Sequence, residues 1–110
     1  MPYDILFYSE RVQRSIETLP KTLYARFLAL ADRMIEHGPH LGEPHTKAMK
    51  DGLFEMRLKG AEGIARVFYC AIIDRRIVIV HSFVKKTQKT PTNELATARK
   101  RLQEIKHEDV

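Results

Sequence analysis

Three lysines fall within five residues at Lys85, Lys86 and Lys89, straight after an apolar run and straight before Thr90 and Pro91. Thr-Pro is a helix-start signal, with the threonine as cap and the proline in the first turn. Clustered cations beside a helix N-terminus favour an anion, because the ammonium groups and the unpaired amides both attract negative charge. The anion this segment points to is phosphate, including the phosphates of RNA.

Two arginines upstream join this set. If the hairpin at KGAEG turns symmetrically about residues 61 and 62, Arg57 faces Arg66 and Glu55 faces Phe68. If Asp74 and Arg75 form the next turn, Arg66 faces Phe83 and Phe68 faces His81. Period-two alternation then collects Glu55, Arg57, Arg66, Phe68, His81 and Phe83 on one sheet face. Side-by-side arginines repel unless an anion or a carboxylate lies between them, and Glu55 is placed to be that carboxylate. Phe68 and Phe83 offer flat surfaces beside the cations, the combination that holds single-stranded RNA by stacking, with Lys59 and Lys89 extending the basic surface. A lone histidine in an apolar strand is commonly a hydrogen-bonded core residue, yet imidazole also titrates where proton transfer needs it, so His81 stays open between the two. The plainer alternative for the whole set is an Arg-Glu ladder on a solvated face, with lysines that only solubilise.

The elements that must carry these residues can be read from periodicity. A partly alternating strand is expected over residues 3–8, then Ser9 as cap of a helix over 10–18. After Pro20, the residues Leu23, Phe27, Leu30 and Met34, widened by Tyr24, Leu28, Ala31 and Ile35, predict an amphipathic helix to Glu36 that Gly38-Pro39 ends. Residues 39–51, rich in Pro, Gly and His, read as a loop. Its His40 and His45 lack the cysteine or carboxylate partners of a metal site and read as solvated, so no metal or other cofactor is expected. Three strands follow as an antiparallel meander: one on which Phe54, Met56 and Leu58 alternate with polar residues, then IARVFYCAII, then RIVIVHSFV. The Asp74-Arg75 turn is the weaker of the two, since neither residue accepts positive φ as glycine does. A last helix carries Leu95, Ala98, Leu102 and Ile105 on one side, to about residue 106. The face opposite the arginines, with Phe54, Met56, Leu58, Val67, Val78 and Val80, is apolar enough to pack the long helix, leaving the Arg/His face free for a ligand.

At 110 residues, 44% hydrophobic and 30% charged, the chain is expected to form one α+β domain over residues 1–110, with no room for a second core. The net charge of +5 is confined to residues 39–90, both flanking segments being balanced. The start lacks a secretory pattern and no apolar run is long enough for a membrane span, so a cytoplasmic protein without a membrane partner is expected. The single cysteine, Cys70, sits in an apolar run and reads as a small buried thiol.

The segments LFEMRLKGAEGIARVFY and IVHSFVKKTQKTPTNELATARKRL resemble the RelE/ParE superfamily of type II toxins, in its HigB-like, phage-related branch. The similarity runs over roughly residues 4–106. It rests on the combination of FEMR, an arginine early in the following strand, and F-x-KK-x-x-KTP. The resemblance implies a RelE-like fold: an N-terminal strand and helical hairpin packed on the meander, with a C-terminal helix. It further implies a messenger-RNA endoribonuclease acting in the ribosome without a metal, inhibiting translation and neutralised by a cognate antitoxin, here a helix-turn-helix DNA-binding protein. By position, Arg57 matches a basic residue of the first meander strand, Arg66 the phosphate-stabilising arginine of the second, and Lys85 and Lys86 the basic residues after the third. Glu55 or His81 would then be acid or base. Glu55 stands where the best-known ribosome-dependent members carry lysine, and no tyrosine follows Tyr69. A ParE-like gyrase poison and a non-catalytic RNA-binding module remain the alternatives.

Overall fold

The periodic stripe of the long helix does what its spacing predicts. In the computed structural model, which describes residues 1–85 and 91–109, Leu23, Phe27, Leu30, Ala31 and Met34 are all buried along one side of α2, Lys21–His37. Before it come β1, Asp4–Phe7, and α1, Glu10–Glu17, whose cap is Ser9: its hydroxyl accepts from the Val12 amide at 3.2 Å. Gly38, with φ of 97°, ends α2 as expected. The rest of the order is β2, Thr46–Ala48; β3, Leu53–Gly60; β4, Gly63–Ile72; β5, Arg76–Lys85; and α3, Thr92–Asp109. Lys86, Lys89 and the Thr90 cap lie outside the described residues.

The five strands form one sheet in the order β1-β5-β4-β3-β2, antiparallel except for β1, which lies parallel to β5. Helices α1 and α2 cover one face, packing on Met56, Leu58, Ala65, Val67, Tyr69, Ile77 and Ile79. The other face receives α3, whose Ala98 and Leu102 meet Leu53, Phe68, Cys70, Val78 and Val80. This corrects the expectation of a free Arg/His face. It also moves Val78 and Val80 to the arginine side, where they pack under α3 rather than under the long helix.

The cause is a β-bulge. The turn between β4 and β5 takes three residues, Ile73, Asp74 and Arg75, because Ile72 pairs with Arg76; Asp74 and Arg75 both adopt positive φ. A register shift between Phe68 and Tyr69 then inserts Val80 as an extra residue on β5, so that Phe68 faces His81 and Arg66 faces Phe83. The longer turn and the bulge offset each other. Near the arginines the register equals that expected from a two-residue turn, while nearer the turn the parity of β5 is inverted. The loop expected over 39–51 holds a further correction, the three-residue edge strand β2, which pairs with β3 through Thr46 opposite Met56. So short a strand, with Lys47 and Ala48 exposed, has no apolar alternation to announce it.

The β3-β4 hairpin is clasped to the start of α2. Pro20 at the cap position of α2 offers no side-chain acceptor, and Glu62 from the hairpin tip takes its place, accepting from the Thr22 amide at 2.7 Å and the Thr22 hydroxyl at 2.9 Å. These bonds hold the Glu62 carboxyl below its usual pKa. The approach needs glycine at position 60, since a Cβ there would sit 2.6 Å from Thr22 Oγ1 and 3.0 Å from its Cβ. Gly60→Ala is therefore expected to destabilise the fold by about 1–3 kcal/mol, the usual cost of overpacking. Adding Thr22→Ala should restore part of the loss, as urea denaturation midpoints of the single and double variants would show.

Candidate phosphate-binding site

Alternation along β3, β4 and β5 builds three rows on the α3 side of the sheet. Glu55, Phe68 and His81 lie across one row, Arg57, Arg66 and Phe83 across the next, and Lys59, Ile64 and Lys85 across the last. The paired arginines and their neighbours are thus brought together as their spacing predicts. Lys59 and Lys85 extend the set along the same strands, whereas Lys86 and Lys89 fall outside the described residues.

Glu55 is the hub. Its side chain is 1% exposed, and its Oε1 accepts a short charge-assisted bond from Arg66 Nη1 while Arg57 Nε lies 3.6 Å away. A carboxylate this deep is tolerable only with such partners, because removing an ion from water costs several kcal/mol. Exposure rises outward from it: the Arg66 side chain is 10% exposed and that of Arg57 39%. Among the described residues, Arg57 Nε and Arg66 Nε have no hydrogen-bond acceptor. One carboxylate therefore faces two guanidinium groups, and Lys85 adds a third cation. Desolvation first, and then the positive charge of Arg66, lower the Lys85 pKa, with Arg57 adding to the effect and Glu55 opposing it. Such a group of cations attracts an anion.

The aromatic residues divide. Phe68 is fully buried beneath α3, which corrects its expected role as a surface for a base. It supports Phe83 instead, the ring centroids lying 6.1 Å apart, and Phe83 is half-buried at the site. His81 is held by α3. Arg101 Nη1 lies 3.3 Å from His81 Nδ1 and donates to the Val80 carbonyl at 2.7 Å, and His81 Nε2 lies 3.0 Å from Glu94 Oε1. Because guanidinium only donates, these neighbours assign the ring proton to Nε2, facing the Glu94 carboxylate. Glu94 and Arg101 were not among the residues singled out from the sequence. An acidic residue in a first helical turn is a common feature, and nothing local tells which strand the helix will cross.

An open hollow of ≈ 400 Å³ adjoins the arginines, bounded by Arg57, Lys59 and Arg66 on the sheet, with Arg26 of α2 and His45 beyond. His40, the other loop histidine, packs its ring against Phe54 at 5.6 Å. No cluster of three His, Cys, Asp or Glu side chains suited to a metal occurs among the described residues.

With this geometry in place, the family model described as "Phage derived protein Gp49-like (DUF891)" matches residues 14–103. The chain belongs to this Gp49-like family. Among solved structures, the archaeal RelE-RelB complex from Pyrococcus horikoshii OT3 has a chain that matches with a TM-score of 0.55 and 26% identity, over 76% of this chain and 96% of that one. No curated protein matches the sequence. The Gp49-like chain is a toxin of the RelE superfamily with the RelE-like α+β fold, as its motifs led one to expect. The family match spans Glu55, Arg57, Arg66, His81 and Lys85, so every described member of the cluster falls inside it.

The unequal burial of the two arginines separates their substitutions. Glu55→Ala leaves the nearly buried Arg66 guanidinium without its counter-ion and should cost about 3–5 kcal/mol, the range for breaking a buried pair. Arg57→Ala removes a partly solvated partner and should cost about 1 kcal/mol or less. Equilibrium urea unfolding of both variants would check this order.

Proposed function

We propose that the toxin is a metal-independent endoribonuclease that cleaves messenger RNA, with the ribosome presenting the message, and so inhibits translation. The observation that carries this reading is the excess of positive charge around Glu55. Arg57, Arg66 and Lys85 converge around that carboxylate at one end of the sheet, beside the half-buried ring of Phe83. In the proposed reaction the ribose 2′-oxygen attacks the adjacent phosphorus, the 5′-oxygen leaves, and a 2′,3′-cyclic phosphate remains. The attacking hydroxyl loses a proton and the leaving oxygen gains one. Arg57 and Arg66 hold the phosphate and its developing charge, and Phe83 stacks a neighbouring base.

Lys85 and His81 lie on β5 on either side of Phe83, in the rows that flank the arginines. Lys85, with its lowered pKa, and His81, backed by Glu94, are the pair assigned to acid and base. Glu55, behind both arginines, orients them. Lys59 contacts the RNA backbone, and Lys86 and Lys89 are assigned to the same RNA strand as further cations. Positioning by the ribosome supplies much of the rate, as the best-oriented intramolecular reactions illustrate.

The likeness to a chain of a RelE-RelB complex supports a cognate antitoxin for this toxin, and a helix-turn-helix DNA-binding protein is the partner we assign. The site of action is the cytoplasm. No helix among the described residues is long and apolar enough to cross a membrane.

Arg57→Ala is the cleanest test, since Arg66→Ala would also strand the buried Glu55. The variant should fold, yet lose growth arrest and leave ribosome-bound messages intact by primer extension. Full toxicity of Arg57→Ala would refute the phosphate role; intact messages with altered DNA supercoiling on wild-type induction would favour a gyrase poison instead.

Lys85 gives a pH signature. A bound phosphodiester favours its ammonium form and raises its pKa from the lowered value of the free protein. Affinity should therefore be complete below the free-protein pKa and decline as pH rises through the higher value in the complex. Anisotropy titrations with a labelled 2′-O-methyl oligoribonucleotide, which cannot react, should show this decline, and Lys85→Met should flatten it.

A further inference from the structure

The hollow beside the arginines continues over an open strand edge. β2 pairs with β3 only from Phe54 to Met56, and the Arg57 amide donates to the His45 carbonyl; after Arg57 none of the described strands adjoins the outer edge of β3. Arg26 on α2, His45 and Lys59 stand around this gap. Arg26 and Lys59 are exposed, and the side chains of all three lack hydrogen-bond and ion-pair partners among the described residues.

The lining is one-signed. Arg26, Arg57, Lys59 and Arg66 contribute cations, no acidic side chain among the described residues lines the hollow, and Glu55 is engaged with Arg66 behind it. Cations gathered around an open space repel one another, and that repulsion is relieved by an anion. The space is also larger than one phosphate needs. Its ≈ 400 Å³ falls in the range of pockets that hold whole small molecules, about 300–1,000 Å³. Pro44 and Ile64 add apolar wall between the charges. Sugar-phosphate with a base attached has this mixture of anionic and flat apolar surface.

We propose that this hollow is a second nucleotide subsite, in which Arg26 and His45 hold the phosphate next to the one cleaved and the Pro44 and Ile64 wall receives the attached nucleoside. Arg57 is shared between the two phosphates. The inference rests on the phosphodiester reading of the Arg57-Arg66 site and extends it: the ligand is single-stranded RNA engaged through two consecutive phosphates, the strand passing from the sheet face over the β3 edge toward α2. Neither Arg26 nor His45 has a part in the cleavage chemistry; both are binding residues.

The test compares 2′-O-methyl dinucleotide and trinucleotide probes, carrying one and two phosphodiesters, in NMR titrations of the full chain at low salt. The wild type should bind the trinucleotide about tenfold more tightly, the effect of one added charge-assisted contact. Arg26→Ala should abolish that advantage, leave dinucleotide affinity unchanged and lower the salt slope for the trinucleotide by about 0.7, the share of one single-strand phosphate. His45→Ala should act in the same direction, and Arg57→Ala should weaken both probes. An unchanged trinucleotide advantage in Arg26→Ala overturns the subsite while leaving the first site standing. Wild type that shifts with neither probe overturns the phosphodiester reading itself. A tetraglutamate peptide that outcompetes the trinucleotide at Arg26 would assign the hollow to an acidic protein segment and overturn the proposal.

Discussion

Glu55 is the residue on which the arrangement turns. A carboxylate 1% exposed to solvent must find cations, and the neighbouring row of the sheet supplies Arg57 and Arg66. That requirement also selects the register of β3 on β4. A slip of one residue would turn Glu55 and Arg57 toward the core under α2 and bring Met56 and Leu58 out. Packing on one face and charge pairing on the other thus demand the same alignment. The guanidinium charge left over after Glu55 is satisfied is displayed at the open end of the sheet, where an anion can reach it.

Helix α3 divides that sheet face into two territories. Its Ala98 and Leu102 seal the apolar half over Phe68, Cys70, Val78 and Val80, and its first turn brings Glu94 to His81 at the border. Arg101 reinforces the border from the same helix, lying 5.0 Å from the Tyr8 ring while donating to the Val80 carbonyl. Arg57, Lys59 and Lys85 lie beyond the apolar half. The division follows from where the apolar residues of α3 stop.

Local patterns made much of this legible. Gly60 and Gly63 frame a two-residue turn, so the facing of Arg57 and Arg66 could be read from the sequence, and the alternation of β3 put Glu55 beside them. The register of β5 at Phe83 and His81 could be read only because a three-residue turn and a bulge compensate; the same pair of departures reversed Val78 and Val80. Three features had no local signal: the short edge strand β2, the docking of α3 on the arginine face, and the meeting of Arg26 and His45 at one hollow. Each depends on residues distant in sequence finding one another, which neither periodicity nor turn chemistry reports. Phe68 looked like a surface aromatic for the same reason, since nothing in its strand announces the helix above it.

The parallel pairing of β1 with β5 bears on how the molecule comes into being. Asp4 must meet Arg76, and Phe7 must meet Ile79, so β1 waits for the much later β5 before the backbone bonds between them can form. Pairings this distant in sequence are slow to close, and a growing chain cannot close them at all until β5 has cleared the exit tunnel. Since β5 also carries His81 and Lys85, a nascent molecule holds no complete cluster until that strand has been made.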